Sequence, residues 1–506
     1  MNILLLYPEM PDTFWSMKYL MKVLSKKSSY PPLGLLTVSK LLPGNWNKRL
    51  VDLNLSPLNE EDLKWADYVF ISAMNVQIEY TRKAVEFCKK FNKKIVAGGP
   101  LFTQEFEKFP EVDHFVLNEA EITLPRFIAD FENGALQKFY SSQDFADVTK
   151  SPLPDWDLIN LEKYAYAIVQ YSRGCPYMCD FCDVTALFGR RPRTKTAEQI
   201  TGELDKILES GYPEMILFAD DNLISNRRDL KTNLLPELIK WRRKNKNAPG
   251  FATQVTINLA DDEEMMTQMI EAGFRHIFVG IESIAEESLE SCHKTQNMRR
   301  DLLENVKRLQ QRGFIVTAGF IVGFDTDSET IFDQQINFIQ ESGIVIATVN
   351  ILKAPPGTDL HKRLTGENRI VDSIDFDENK TNIVTKMDKA VLYSGYKKIL
   401  DTIYHPQKIY ERSLQFLSIY GNHKAENPIR RKITYQDVLT LFRLIYLTGI
   451  TGKNRIYFWK LLFGTFLFNK KNVMHAVLFG ALIYQFSMLH RKFIRSYKEI
   501  LPGEVI

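Results

Sequence analysis

Apolar and polar positions change rhythm three times along this chain. Over residues 1–140, short wholly apolar runs alternate with longer stretches whose apolar residues recur at helical spacing. The run NILLLY at 2–7 stops at Pro8 and predicts a buried strand. Residues 31–42 open on two prolines and carry Leu33, Leu36, Val38, Leu41 and Leu42, which predicts a helix with proline in its first turn. Further strands are predicted at 49–53, 68–73, 94–97 and 114–117, with helices at 76–91 and 119–131. Apolar strands separated by helix-length segments indicate a doubly wound parallel sheet, because a parallel pair needs a crossover of that length.

Residues 141–164 are mixed and polar, broken by Pro152 and Pro154, and read as a linker. A second strand–helix series fills 165–360. Its strands are predicted at 166–171, 215–219, 250–253, 276–280, 317–322 and 345–352, with helices at 196–210, 231–246, 262–272, 298–312 and 328–340. Six such alternations suit a partial (β/α)6 barrel with its active site at the carboxyl ends of the strands. Residues 361–506 are mostly helical in pattern, at 393–404, 409–419, 435–447, 456–468 and 473–489. The last of these approaches the length that spans a bilayer, but His475, Gln485 and Ser487 argue against a transmembrane helix.

Length and charge refine this picture at two points. A chain of 506 residues exceeds one ordinary core, so several domains are expected. The net charge of +3 carries little information, yet residues 421–506 hold 14 Lys/Arg against 4 Asp/Glu. Basic flanks around aromatic-rich helices suit a surface seated on a membrane, a subdomain covering a greasy channel, or ordinary core helices. No nucleic-acid recognition pattern is present. The start MNILLLYPEM lacks a signal-peptide pattern, so a reducing cytoplasm is expected, with peripheral contact at the inner membrane surface through the C-terminal domain.

Candidate chemistry is concentrated in YSRGCPYMCDFCD at 171–183. Cys175, Cys179 and Cys182 are three of only five cysteines, in a C-x3-C-x2-C pattern. Three thiolates can hold three irons of a [4Fe–4S] cluster and leave the fourth open to another ligand. A three-cysteine zinc site is the alternative, but no nearby His or Cys completes a compact tetrahedral set. Arg190, Arg191 and Arg193 follow at once and could hold a carboxylate. In the first sheet, ligands belong beyond the carboxyl ends of the strands, where Asn54, Ser72, Gln77, Gly98, Gly99 and Glu119 stand. There is no GxGxxG and no P-loop. The same logic in the barrel selects Asp220, Asp221, Asn222, Gln254, Glu282 and Gly323; Asp325 and Ser328 read equally as helix caps. His276 and His293 lack metal-ligand spacing and are read as non-ligands. No catalytic acid or base is assigned.

The triplet with Phe181 before its last cysteine resembles the radical SAM superfamily. A parallel sheet placed ahead of such a barrel resembles the cobalamin-dependent, class B, members. The stretch YPEMPDTFWSMKYLMKVLSKKSSYPPLGLLTVSKLLP at 7–43 resembles the subgroup that includes the hopanoid C-2 methylase. The resemblance implies a Rossmann-like cobalamin-binding domain at 1–140, a radical SAM barrel at 165–360 and a helical C-terminal domain at 361–506. It implies a [4Fe–4S] cluster, S-adenosylmethionine (SAM) and cobalamin as cofactors. It places Asp220–Asn222 at the SAM amino group, Glu282 near the ribose or methionyl part, and the stretch 319–323 beside the adenine. The DxHxxG signature is absent: the chain reads Asp52-Leu53-Asn54-Leu55-Ser56, which implies cobalamin held without a histidine ligand. Phe14, Trp15 and Tyr19 are expected in a lid, in the cofactor cradle or in interdomain packing. The implied reaction is carbon methylation. Reductive SAM cleavage gives a 5′-deoxyadenosyl radical that abstracts a substrate hydrogen, and methylcobalamin donates the methyl group. The implied substrate is a small molecule, with lipids the first class to consider, and the electron donor is of the flavodoxin or ferredoxin kind. Non-methylating radical chemistry, such as coupling, cyclisation or rearrangement, is the alternative; a cofactor-binding sensor would need no open iron.

Overall fold

The computed structural model describes residues 1–14, 16–211, 215–371, 380–421 and 435–500. Trp15, expected in a lid, in the cofactor cradle or in interdomain packing, and residues 372–379 of the polar stretch after the barrel lie outside them. The chain divides into two compact units. One comprises Met1–Ser16, Lys27–Trp241 and Lys353–Val384; the other comprises Met17–Lys26, Arg242–Leu352 and Thr385–Ile506.

In the first unit, β1 (Asn2–Tyr7), β2 (Asn47–Asp52), β3 (Tyr68–Ser72), β4 (Lys94–Gly98), β5 (His114–Val116) and β6 (Phe139–Tyr140) form one parallel sheet in the order β2-β1-β3-β4-β5-β6. Strand residues alternate between two cores. Leu4, Leu6, Val69, Ile71, Ile95 and Ala97 fill one, and Ile3, Leu5, Phe70 and Val96 fill the other. That alternation is why β1, β3 and β4 read as apolar runs: both faces are covered by helices. The order reverses at β1/β3, where doubly wound sheets bind ligands beyond the strand ends.

The sixth strand escaped the sequence reading because it is only FY, preceded by the polar pair Gln137–Lys138. Its pairing is fixed by Phe115 and Leu117, whose N–H groups donate to the carbonyls of Lys138 and Tyr140.

The same unit holds β7 (Tyr166–Val169), β8 (Ser172–Arg173), β9 (Arg193–Thr194) and β10 (Met215–Phe218). β7 and β10 pair in parallel, and β8 pairs antiparallel with β9. The strand predicted at 166–171 therefore breaks. The carboxylate of Asp220 accepts the N–H groups of Tyr171 and Ser172, which takes them out of the parallel ladder.

In the second unit, β11 (Phe251–Val255), β12 (Phe274–Glu282), β13 (Ile315–Val322) and β14 (Ile346–Ile351) pair side by side, all parallel. Helices Lys389–Ile403 and Pro406–Ile419 close over the end of this series. Tyr396 and Tyr404 donate their hydroxyls to the carbonyls of Val349 and Ala347, at 3.0 and 3.1 Å. Helix Lys18–Leu24 was not foreseen. It packs here: the Leu20 N–H donates to Gln485 at 2.8 Å, and Val23 shares a core with Leu444, Phe458 and Ala481. Segment Lys470–Arg491 is long and apolar enough to cross a membrane, but about half of its most apolar stretch is buried inside the protein.

Candidate active site

The cysteines occupy the loop between β8 and β9. Gly174, at φ 91°, starts the turn. A Cβ at Gly174 would lie 2.9 Å from the Arg191 carbonyl and 3.0 Å from that of Gly189, so only glycine lets the strands close. The Cys175 N–H donates to the Gly189 carbonyl, and the Cys182 N–H to that of Cys179, each at 3.2 Å. Cys179 is buried and Cys175 and Cys182 are half-buried. Among the described residues, no three His, Cys, Asp or Glu side chains converge on a single metal ion. A cluster does not ask for that convergence, because each thiolate binds its own iron, whereas a single zinc ion does. Three cysteines on one closed loop are thus the donor set that a cluster with one open iron requires.

The loop is tied down by a buried charge network. Arg173, which immediately precedes Gly174, contacts Glu119 at 3.1 Å and Glu121 at 2.8 Å. Arg193 contacts the other Glu119 oxygen at 2.8 Å and the Ala146 carbonyl at 2.6 Å. Burial alone would raise the Glu121 carboxyl, but the Arg173 guanidinium and the Ser151 hydroxyl hold it down at about 2. Both Glu119 oxygens are occupied, by Arg173, Arg193 and the Ala146 N–H. The carboxylate picked from the sequence as a cofactor contact therefore joins the end of β5 to the base of the cysteine loop. Of the three basic-loop arginines, Arg193 is committed here. Arg190 reaches Asp359 at 3.4 Å, exposed, and Arg191 is exposed.

Beyond the first sheet, the predicted residues cluster around the reversal at β1/β3. Gln77 is fully buried; it donates to the Pro8 carbonyl at 2.7 Å and accepts from the Met74 N–H at 2.8 Å. Asn54 accepts from the Met10 N–H at 2.8 Å and donates to Asp52 at 2.7 Å. Asp52 also accepts from the Tyr164 hydroxyl at 2.8 Å, and burial pushes its carboxyl up. A Cβ on Gly98 would strike the Val116 carbonyl at 2.6 Å. Gly99, at φ 89°, lies against Ser72, whose Oγ would be 2.6 Å from an added Cβ. These groups set the shape of the loops above the sheet.

The end of β10 differs. Asp220 is fully buried, and Tyr171 and Ser172 occupy both of its oxygens. Next to it, the buried Asp221 Oδ2 has no hydrogen-bond partner among the described residues. Burial, then the charges of Asp220 and Asp183, push the Asp221 carboxyl up to about 7. A buried carboxylate oxygen left open is costly and fits an incoming ammonium group. Asn222 is buried beside it and begins the next turn.

In the second unit, Gln254 is exposed on β11 between the buried Thr253 and Val255. Glu282 ends β12 at φ 62°, after a register shift from Gly280, and pairs with Lys294 at 2.8 Å. Left-handed backbone at a non-glycine residue is strained. Gly323, at φ 99°, gives its N–H to Asp327 at 2.8 Å. Burial pushes His276 down to about 4, with His475 and Arg275 adding to it.

The sequence reading missed Arg173, Lys294 and Tyr164, and it placed Glu121 in the candidate stretch 118–121 without its partner. Their partners lie 52, 12 and 112 positions away for Arg173–Glu121, Lys294–Glu282 and Tyr164–Asp52. Only Arg173 carried a signal, its place directly before the glycine of the cysteine loop.

Residues 169–339 match the radical SAM superfamily, and 358–499 match a domain of unknown function, DUF4070. The chain is 34% identical over 510 residues to an uncharacterized methyltransferase of Synechocystis sp., covering 100% of this chain and 93% of that one. It is 32% identical over 468 residues to the hopanoid C-2 methylase of Rhodopseudomonas palustris, covering 91% and 88%. In fold it is similar to OxsB, a cobalamin-dependent SAM radical enzyme solved with aqua-cobalamin and SAM, at a TM-score of 0.61 and 15% identity over 100% of this chain and 81% of that one. It is similar also to TsrM, a radical SAM methyltransferase of Kitasatospora setae solved with cobalamin and a [4Fe–4S] cluster, at a TM-score of 0.59 and 13% identity over 90% and 97%. With its doubly wound sheet, its strand–helix series and its cysteine triplet, this chain belongs to the cobalamin-dependent radical SAM enzymes, in the family of the hopanoid C-2 methylase.

Proposed function

We propose that this enzyme is a C-methyltransferase that acts on an unactivated carbon of a hydrophobic small molecule, with a polycyclic or other lipid as the first class to test. One observation carries the reading. A single compact unit holds both the doubly wound sheet and the cysteine loop, and the buried contacts of Arg173 and Arg193 with Glu119 and Glu121 join them. The name of the hopanoid C-2 methylase, at 32% identity, supports the lipid class.

In this reading Cys175, Cys179 and Cys182 hold the cluster, and Asp221 receives the SAM amino group. The loops that carry Pro8, Asn54, Gln77 and Gly99 cradle cobalamin above the first sheet. Bound there, the cluster with SAM supplies a radical able to take hydrogen from carbon, and cobalamin supplies the methyl group. The protein's own part is positional. Asp220 fixes Tyr171 and Ser172, and so the strand that enters the loop. Gly174 lets the loop close, and Arg173 and Arg193 set it against the end of β5. A flavodoxin- or ferredoxin-like donor supplies the electron, and the basic, aromatic C-terminal helices give peripheral membrane contact in the cytoplasm.

The test is anaerobic purification with iron, sulfide and corrin quantified, followed by product analysis. Methylated product with deoxyadenosine and S-adenosylhomocysteine is expected. An absence of cobalamin after reconstitution would sink the methylase mechanism. Deoxyadenosine without methyl transfer would replace it with coupling, cyclisation or rearrangement.

A further inference from the structure

Helix Arg455–Phe468 is apolar on opposite sides. Phe458, Leu461 and Thr465 form a buried stripe at helical spacing. Ile456, Phe463, Phe466 and Leu467 lie outside that stripe, and each is more than half exposed, Leu467 at 67%. Phe468, which ends the helix, is 89% exposed. A helix that packs on a core from one side normally turns polar residues to water on the other; one that is apolar all round leaves water on both sides.

The exposed side also carries a groove of about 660 Å³, in which Arg455 and Lys460 stand among Gly449, Ile456, Trp459 and Phe463. From Val438 to Arg491 the chain has seven Lys/Arg and no Asp or Glu. Lys470 and Lys471, both exposed, follow the helix directly.

We infer that this face of the C-terminal helices seats on an anionic phospholipid bilayer. Its phenylalanines and leucine enter the acyl boundary, and Arg455, Lys460, Lys470 and Lys471 meet the phosphates. Charge selects this occupant. A second copy would bring the same cations against themselves, whereas an anionic headgroup layer complements them and an acyl layer accepts the apolar side chains. The long helix that follows is half-buried in its own unit, so the contact lies along the surface and does not span the membrane. The inference deepens the proposed function by giving its lipid-facing tail a defined surface. Its test uses no turnover, so binding and methylation can fail separately.

The test is co-sedimentation of the full-length protein with vesicles of phosphatidylglycerol and phosphatidylcholine, and with phosphatidylcholine alone, at low and high salt. Binding is expected on the anionic vesicles, and at least about tenfold weaker on the neutral ones or at high salt. The double variants Phe463→Ser/Leu467→Ser and Lys460→Glu/Lys471→Glu change exposed side chains only. Each should cut the affinity at least about tenfold, with the far-ultraviolet circular dichroism unchanged. Failure to sediment with anionic vesicles, or wild-type binding by both variants, would overturn the inference. So would concentration-dependent dimers that these variants abolish while vesicles leave the protein in solution.

Discussion

The polar residues after the strands of the first sheet and those after β10 have opposite environments. Asn54, Gln77 and Glu119 are all spent on hydrogen bonds or ion pairs inside the protein. The Asp221 Oδ2 is buried too, yet among the described residues it meets no hydrogen-bond partner. Both groups satisfy the same sequence rule, a polar residue at the carboxyl end of a parallel strand. In the proposed reading, one group builds the walls of a site, and the other leaves a carboxylate to be answered by what enters. Occupied and open hydrogen-bonding capacity separates the two roles, and position after a strand does not.

The strongest break of this comparison comes at the loop that both regions serve. Replacing Cys175, Cys179 or Cys182 by Ala should abolish SAM cleavage and remove the cluster's visible absorption. Cys88→Ser and Cys292→Ser should keep full iron content, because those buried thiols are not part of the triplet. Next in size is Arg173→Met, which strands the buried Glu121 carboxylate and leaves Glu119 to Arg193 alone. Loss of about 3–5 kcal/mol of unfolding free energy is expected in denaturant titrations. Adding Glu121→Gln should restore part of it, since one uncompensated charge is then gone. No recovery would show that the two side chains do not act as a pair.

Asp221→Ala tests the open side. It should weaken SAM binding by about 1.5–3 kcal/mol, or roughly 10–100-fold, with cluster content unchanged. Equilibrium dialysis at matched iron content measures this, and unchanged affinity would move the amino-group contact elsewhere. The occupied side has a pH signature. The Glu121 carboxyl is held at about 2 against an ordinary 4.5. Its ionised form therefore stabilises the fold fully above pH 4.5, and that contribution fades as pH falls through 2. Glu121→Gln should flatten the acid limb of a stability–pH curve in this window and leave neutral pH as the region of largest difference. The smallest effect is expected from Asn54→Ala, about 1 kcal/mol, because only loop hydrogen bonds are lost.

Much of this was legible in local pattern. The apolar runs located β1, β3 and β4, since a strand buried on both faces has no polar residue to interrupt it. Thr196 and Gln199 mark a helix start through a capping box that lies within one turn. The two-residue β6 was not legible, because its pairing to β5 is non-local and FY carries no period. Neither was helix Lys18–Leu24, whose partners Leu444, Phe458 and Ala481 come from the other end of the chain.

By itself, the sequence determined the chemistry that depends on spacing along one loop: three thiolates close enough together to serve one cluster, after a glycine that allows the turn. It also determined the alternation of the longer strands and helices, because periodicity is a property of neighbouring residues. Tertiary structure alone decided which polar strand-end residues are spent and which stay open. Arg173 reaches Glu119 and Glu121 only after the first sheet and the cysteine loop have folded together. Asp220 finds Tyr171 and Ser172 only when β10 lies beside β7. Hydrogen bonding and burial depend on distances in space, and identical residue types at equivalent strand ends carry no record of them.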